Sequence, residues 1–255
     1  MADLLSVEGL TRSFYGVHAL NGAAFTVAPG SITGLIGPNG AGKTTAFNCI
    51  SGVIPPETGR VTFDGTDITG WRPDQISLRG LVRTFQIARG FPKLSVYETL
   101  MLHGDHQPGE NVGTALFRPG RWKAREKELS ARAREVARRL KLDHVLANLS
   151  TDLSGGQKKL LEIGRALMGG PKLILLDEPV AGVNPTLGRE IAERIRELAA
   201  EGLTFLIVEH DMALVGELCD TVIVMAEGST LIEGTFEEVT ADTRVQDAYL
   251  GRRTQ

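Results

Sequence analysis

Ile32-Thr-Gly-Leu-Ile36 runs straight into Gly37-Pro38-Asn39-Gly40-Ala41-Gly42-Lys43-Thr44-Thr45. The first five residues read as a short buried strand, and Lys43 to Ile50 reads as a helix, so a glycine-rich turn joins a strand to a helix. Four residues separate Gly37 from Gly42-Lys43-Thr44, which is the spacing of a phosphate-binding P-loop. Glycines let the backbone turn its N–H groups toward phosphate oxygens, and the helix N-terminus adds favourable positive potential. Lys43 is a mobile cation for β- and γ-phosphates, and the Thr44 hydroxyl is a hard oxygen ligand for Mg²⁺. By itself this loop specifies a nucleotide-binding protein and nothing narrower.

Working outward, Val61-Thr-Phe-Asp-Gly65 reads as another strand with its turn. The character then changes. His103 to Pro119 is polar and reads as a surface loop, and Leu129, Ala133, Val136 and Leu140 recur at helical spacing. Arg121 to Lys141 carries nine basic residues against three acidic ones, which reads as a solvated helix face. The last third alternates Leu173–Leu176, Pro185–Ala200 and Thr204–Val208 as strand, helix and strand, with Asn184 placed to cap the helix. Such alternation argues for a parallel sheet covered on both faces. The expected division is an α/β core over residues 1–86 and 158–251, a helical subdomain over 87–157, and a tail at 252–255.

Composition narrows the classes. The 255 residues are 42% hydrophobic with a formal net charge of −3, so no global field favours nucleic acid. Cys49 and Cys219 have neither metal-ligand nor redox spacing. No apolar run approaches the roughly 18–20 residues that span a bilayer, and Met1-Ala-Asp-Leu-Leu-Ser lacks a signal-peptide pattern. The expectation is a cytoplasmic protein that reaches a membrane only through a partner.

Leu173-Ile-Leu-Leu-Asp177-Glu178 ends an apolar strand on two carboxylates. This is a Walker-B arrangement: Asp177 falls near Mg²⁺ at the carboxyl edge of the sheet, and Glu178 reaches the attacking water as general base. Leu153-Ser154-Gly155-Gly156-Gln157 opens a helix through Leu160–Leu167 just upstream. With that pentapeptide, the chain resembles the ABC ATPase family, whose signature it is. The resemblance implies an α/β P-loop NTPase (RecA-like) core with an antiparallel β subdomain and an inserted helical subdomain. It also implies ATP and Mg²⁺ as cofactors, and a head-to-tail dimer in which the signature faces the γ-phosphate held by the other subunit.

Further positions follow from that resemblance. Gln86, in Arg83-Thr-Phe-Gln86, is similar to the Q-loop glutamine that touches Mg²⁺ and water, and His210 is similar to the switch histidine. Tyr15 resembles the aromatic that stacks on adenine; Phe14 is its rival, because strand alternation turns only one of them inward. The D-loop segment Ala181-Gly-Val-Asn184-Pro carries Asn where Asp is frequent.

Within the family, Arg83–Gln86, Ala181–Pro185, Glu209-His-Asp-Met212 and Ala248-Tyr-Leu-Gly251 resemble the ATPase of branched-chain (hydrophobic) amino-acid importers. ATPases of urea and short-amide importers are closely similar, and the lipopolysaccharide-export ATPase shares the Tyr-Leu-Gly ending. A soluble ABC ATPase is the remaining alternative; it usually carries two cassettes or a coiled-coil insertion. The implied partners are a second ATPase subunit, identical or different, transmembrane permease subunits and, through them, a substrate-binding protein. The implied location is the inner face of the cell membrane.

Overall fold

The computed structural model describes residues 2–84, 92–105 and 119–250. It divides into two compact units: residues 1–84, 172–179 and 195–255, and residues 85–171 and 180–194.

The first unit holds two sheets. β1 (Leu5–Phe14) and β2 (Val17–Val27) form a hairpin, and β4 (Thr58–Phe63) pairs with the other edge of β1, all antiparallel. Leu5, Val7 and Leu10 are buried, and a register shift between Val7 and Leu10, at Gly9 with φ 59°, restores the inward phase. Short β5 (Thr66–Asp67) completes the order β2-β1-β4-β5.

The second sheet has β3 (Ile32–Ile36), β6 (Leu81–Arg83), β7 (Leu173–Asp177), β8 (Thr204–Val208), β9 (Thr221–Ala226) and β10 (Ser229–Gly234) in the order β10-β9-β3-β8-β7-β6. All of its pairings are parallel except β9 with β10. Every residue of β3, β7 and β8 is buried. Their continuous apolar runs are what a strand covered on both faces requires. Register sets Leu35 and Asp177 each opposite Val208. The carboxyl ends of β3, β8 and β7 therefore finish level, and whatever follows each strand is delivered to one edge.

Helix α1 (Lys43–Ile50) buries Ala46, Phe47, Cys49 and Ile50 in the core that also holds Phe63, Leu175 and Leu206. Burial raises the Cys49 thiol to about 11 and the Cys219 thiol to about 12, which disfavours the reactive thiolate at both. The first unit also includes α2 (Pro73–Leu78).

The second unit is helical. α3 (Val96–Leu102) starts at a capping box between Ser95 and Glu98, and α4 (Pro119–Arg139) carries the apolar positions Leu129, Ala133 and Val136, all buried. α5 (Gly155–Met168) meets both at Gly164, where a Cβ would stand 3.0 Å from Leu140, 3.1 Å from Leu100 and 3.5 Å from Val136. This packing places α5 with the helical unit, whereas the sequence boundary at 158 assigned most of it to the core. α6 (Pro185–Ala200) has its residues up to Arg194 in the second unit and the remainder in the first. Back in the first unit, α7 (Met212–Leu218), α8 (Phe236–Ala241) and α9 (Thr243–Leu250) follow. No helix among the described residues is long and apolar enough to cross a membrane.

Candidate functional site

The turn after β3 is built from glycines that nothing else could replace. Gly42 has φ 99°, and a Cβ there would lie 2.4 Å from the Ala19 carbonyl oxygen. Gly37 has φ 149°, and its Cβ would lie 2.2 Å from the Met225 carbonyl oxygen. The backbone is thus folded tightly against β2 and β9, and α1 begins directly after Gly42. The leading N–H groups of a helix lack intrahelical acceptors and face outward as an anion site. Lys43 is buried, and its Nζ donates to the carbonyls of Gly37 at 2.7 Å and Pro38 at 3.1 Å. Burial pushes its ammonium below the ordinary lysine value, while the Glu178 and Asp177 carboxylates pull the other way. Thr44 follows it in the first turn of α1 and is exposed.

β7 delivers the acidic pair to the same edge. Asp177 is 8% exposed and accepts at Oδ2 from Arg83 Nη2 at 3.0 Å. Glu178 leaves the strand in the left-handed region, φ 51°, with its N–H donating to the Val208 carbonyl at 2.9 Å. A non-glycine residue held there costs on the order of 1–3 kcal/mol, and such strain gathers at functional sites. The bend turns its carboxylate to His210, whose Nε2 stands 2.8 Å from Glu178 Oε1. His210 follows β8, and Asp211 then caps α7 by accepting from the Ala213 and Leu214 amides at 3.0 and 3.2 Å. Strand end and helix cap between them leave His210 on the connecting turn.

Lys43, Asp177, Glu178 and His210 therefore converge in the first unit. Gln86 lies outside the described residues. Tyr15 belongs to the same unit but not to a strand: with Gly16 it forms the β1–β2 turn, at φ 49° and 84°, and is fully exposed. The alternation argument that set it against Phe14 does not apply, because period-two alternation stops where a turn begins. Phe14 is on β1 with the Arg12 guanidinium 5.1 Å from its ring centre.

In the second unit, Ser154 caps α5, its Oγ accepting from the Gln157 amide at 3.3 Å, while Gln157 Oε1 accepts from the Ser154 N–H at 3.0 Å. Leu153 is buried, Gly155 exposed, and Gly156 packs where a Cβ would stand 3.0 Å from Leu187. Asn184 Oδ1 accepts from the Leu187 amide at 2.9 Å, the helix cap expected of it.

The roles of Arg83, Asn48 and Tyr249 were not legible in the sequence. Arg83, noted only as part of a subfamily pattern, pairs with Asp177 and donates from Nη1 to Asn48 Oδ1 at 2.6 Å. An arginine ending an apolar strand was the available signal. Tyr249 is hydrogen-bonded to the Gly37 backbone, and burial raises its phenol above the usual value.

The described donors suit Mg²⁺ chemically: a hydroxyl and a carboxylate are hard oxygens, and Asp177 is already buried and charge-paired. No group of three or more His, Cys, Asp or Glu that could hold a metal ion occurs among the described residues.

The ABC transporter family model matches residues 20–181. A probable branched-chain amino acid transport ATP-binding protein, LivG, of Archaeoglobus fulgidus is 43% identical over 97% of this chain and 95% of that protein. The high-affinity branched-chain amino acid transport ATP-binding protein BraF of Pseudomonas aeruginosa is 36% identical over 97% of this chain and 98% of its own length. Among solved structures, an ATP-binding cassette of an ABC transporter in its ADP conformation aligns with TM-score 0.86 and 39% identity, covering 99% of this chain and 100% of that one. A nucleotide-free cassette aligns with TM-score 0.84 and 38% identity, covering 97% and 98%. Phosphate loop, acidic strand end, signature and fold agree with these likenesses over nearly the whole length, and the chain belongs to the ABC transporter family as an ATP-binding cassette, an ATPase.

Proposed function

We propose that this ATPase powers an importer of branched-chain amino acids. In this reading Lys43 and the loop amides hold the β- and γ-phosphates, Thr44, Asp177 and Gln86 hold Mg²⁺, and Tyr15 stacks on adenine. Bound Mg²⁺ neutralises phosphate charge. Glu178 takes the proton of the attacking water, and His210 supports the γ-phosphate. Leu153–Gln157 serves the nucleotide of a second ATPase subunit, with Asn184 beside that interface. Permease subunits, and a substrate-binding protein acting through them, complete the assembly. The names carried by the relatives support the choice of substrate.

The observation that carries the catalytic reading is Glu178, strained at φ 51° and paired to His210 at 2.8 Å beside Asp177 and Lys43. In Glu178→Gln, size and hydrogen bonding are kept but the water's proton has no acceptor. Hydrolysis is expected to fall by roughly two to four orders of magnitude, with ATP still bound. The variant should then accumulate as a dimer on size-exclusion chromatography with ATP but not with ADP. Normal turnover would remove Glu178 as base. For the substrate, the chain is reconstituted with its permease and binding protein, and leucine, isoleucine or valine should stimulate ATP turnover. Stimulation only by an unrelated solute such as urea would redirect the assignment.

A further inference from the structure

Arg83 ends β6, its side chain is 8% exposed, and its guanidinium spans two elements. One nitrogen, Nη2, donates to Asp177 Oδ2 on β7 at 3.0 Å, and another, Nη1, donates to Asn48 Oδ1 on α1 at 2.6 Å. The guanidinium also lies 5.6 Å from the ring centre of Phe47, which is fully buried. Asn48 is four residues after Thr44, so the two share one face of α1, a single turn apart. The face of α1 that bears Thr44 is thereby tied to the strand end that bears Asp177.

We propose that Arg83 is a positioning residue that fixes the spacing and orientation of Thr44 and Asp177 as a pair of cation ligands. It acts through Asp177 and Asn48 and not on nucleotide or metal. The proposal rests on the reading of Thr44 and Asp177 as Mg²⁺ ligands. Held by Oδ2, Asp177 would offer its other oxygen to a cation, and held at Asn48, α1 would keep the Thr44 hydroxyl in place to join it. Arginine is suited to this because its planar fork serves two acceptors at once with fixed geometry, whereas a lysine ammonium is a single flexible point charge. Groups that orient metal ligands from behind typically change metal affinity by about 10–100-fold when lost.

The test measures Mn²⁺ affinity of the protein–ATP complex by the electron paramagnetic resonance signal of free Mn²⁺, and ATP affinity in EDTA by a fluorescent analogue. Arg83→Lys keeps the charge and loses the fork, and Asn48→Ala removes one arm from a side chain outside the core. Each is expected to weaken Mn²⁺ binding, Arg83→Lys by about 10-fold or more, and to leave metal-free ATP binding within about twofold. The double variant should lose no more than Arg83→Lys alone, since both changes cut one brace. Asp177→Asn separates the failures. Unchanged Mn²⁺ affinity in Asp177→Asn would overturn the ligand reading and this proposal with it. A loss in Asp177→Asn with wild-type affinity in Asn48→Ala would overturn the brace alone, leaving Arg83–Asp177 a structural ion pair. If Arg83→Lys does not fold, Asn48→Ala decides the matter.

Discussion

The helix N-termini of α1 and α5 are both flanked by glycine, and they are finished in opposite ways. At α1, Gly37 and Gly42 are pressed so close to the Met225 and Ala19 carbonyls that no side chain fits, and Lys43 is buried with its ammonium folded onto the loop. At α5, Ser154 caps its own helix, and a Cβ on exposed Gly155 would meet nothing nearer than Val183 at 4.0 Å. The first end is enclosed by its own unit and supplies its own cation. The second is open and supplies only backbone and a hydroxyl. A phosphate held by the first end meets a cation that the same loop carries. The second suits a group brought to it, which agrees with the proposal that the signature serves a neighbour's nucleotide.

Lys43→Ala is the strongest way to break this contrast. With the only loop cation gone, ATP turnover should vanish and nucleotide binding should weaken, by isothermal titration, by at least about tenfold, as expected when a charge-assisted contact of about 1.5–3 kcal/mol is lost. Wild-type turnover would take the P-loop out of the mechanism. Ser154→Arg should abolish turnover equally while leaving ATP binding by the monomer within about twofold, since hydrogen bonds of the cap are worth only about 1 kcal/mol to stability. Loss of monomer binding would mean that the α5 end serves the chain's own nucleotide.

Smaller changes sharpen the comparison through stability. Gly42→Ala forces a side chain into a left-handed position facing backbone, so thermal unfolding should show a loss of roughly 1–3 kcal/mol before the clash is counted. Gly155→Ala, at the first turn of α5 with open space before it, should be neutral or stabilising by up to about 1 kcal/mol. Equal penalties at the two glycines would erase the distinction between an enclosed and an open loop. The smallest expected effect is Ser154→Ala, a loss of about 1 kcal/mol from the missing cap, which also measures how much of Ser154→Arg is mere uncapping.

Sequence alone determined what is local. The ranges Lys43–Ile50, Pro185–Ala200 and Thr204–Val208 read from periodicity coincide with the helices and strand observed. A glycine loop followed by Lys-Thr declares its chemistry within eight residues, because its donors are its own amides, and Asn184 caps the helix that begins beside it. What depends on strand order was decided only by the tertiary structure. Arg83 meets Asp177 across 94 residues because β6 and β7, far apart in the chain, lie side by side in the sheet. Glu178 meets His210 because β7 and β8 end in register, and Tyr249 reaches Gly37 from the far end of the chain. The fate of α5 was likewise set by its packing at Gly164, and the setting of Tyr15 by a turn where strand alternation was assumed. Hydrophobic period reports which face of an element is buried, not which element covers it, and pairings between distant residues follow from the second.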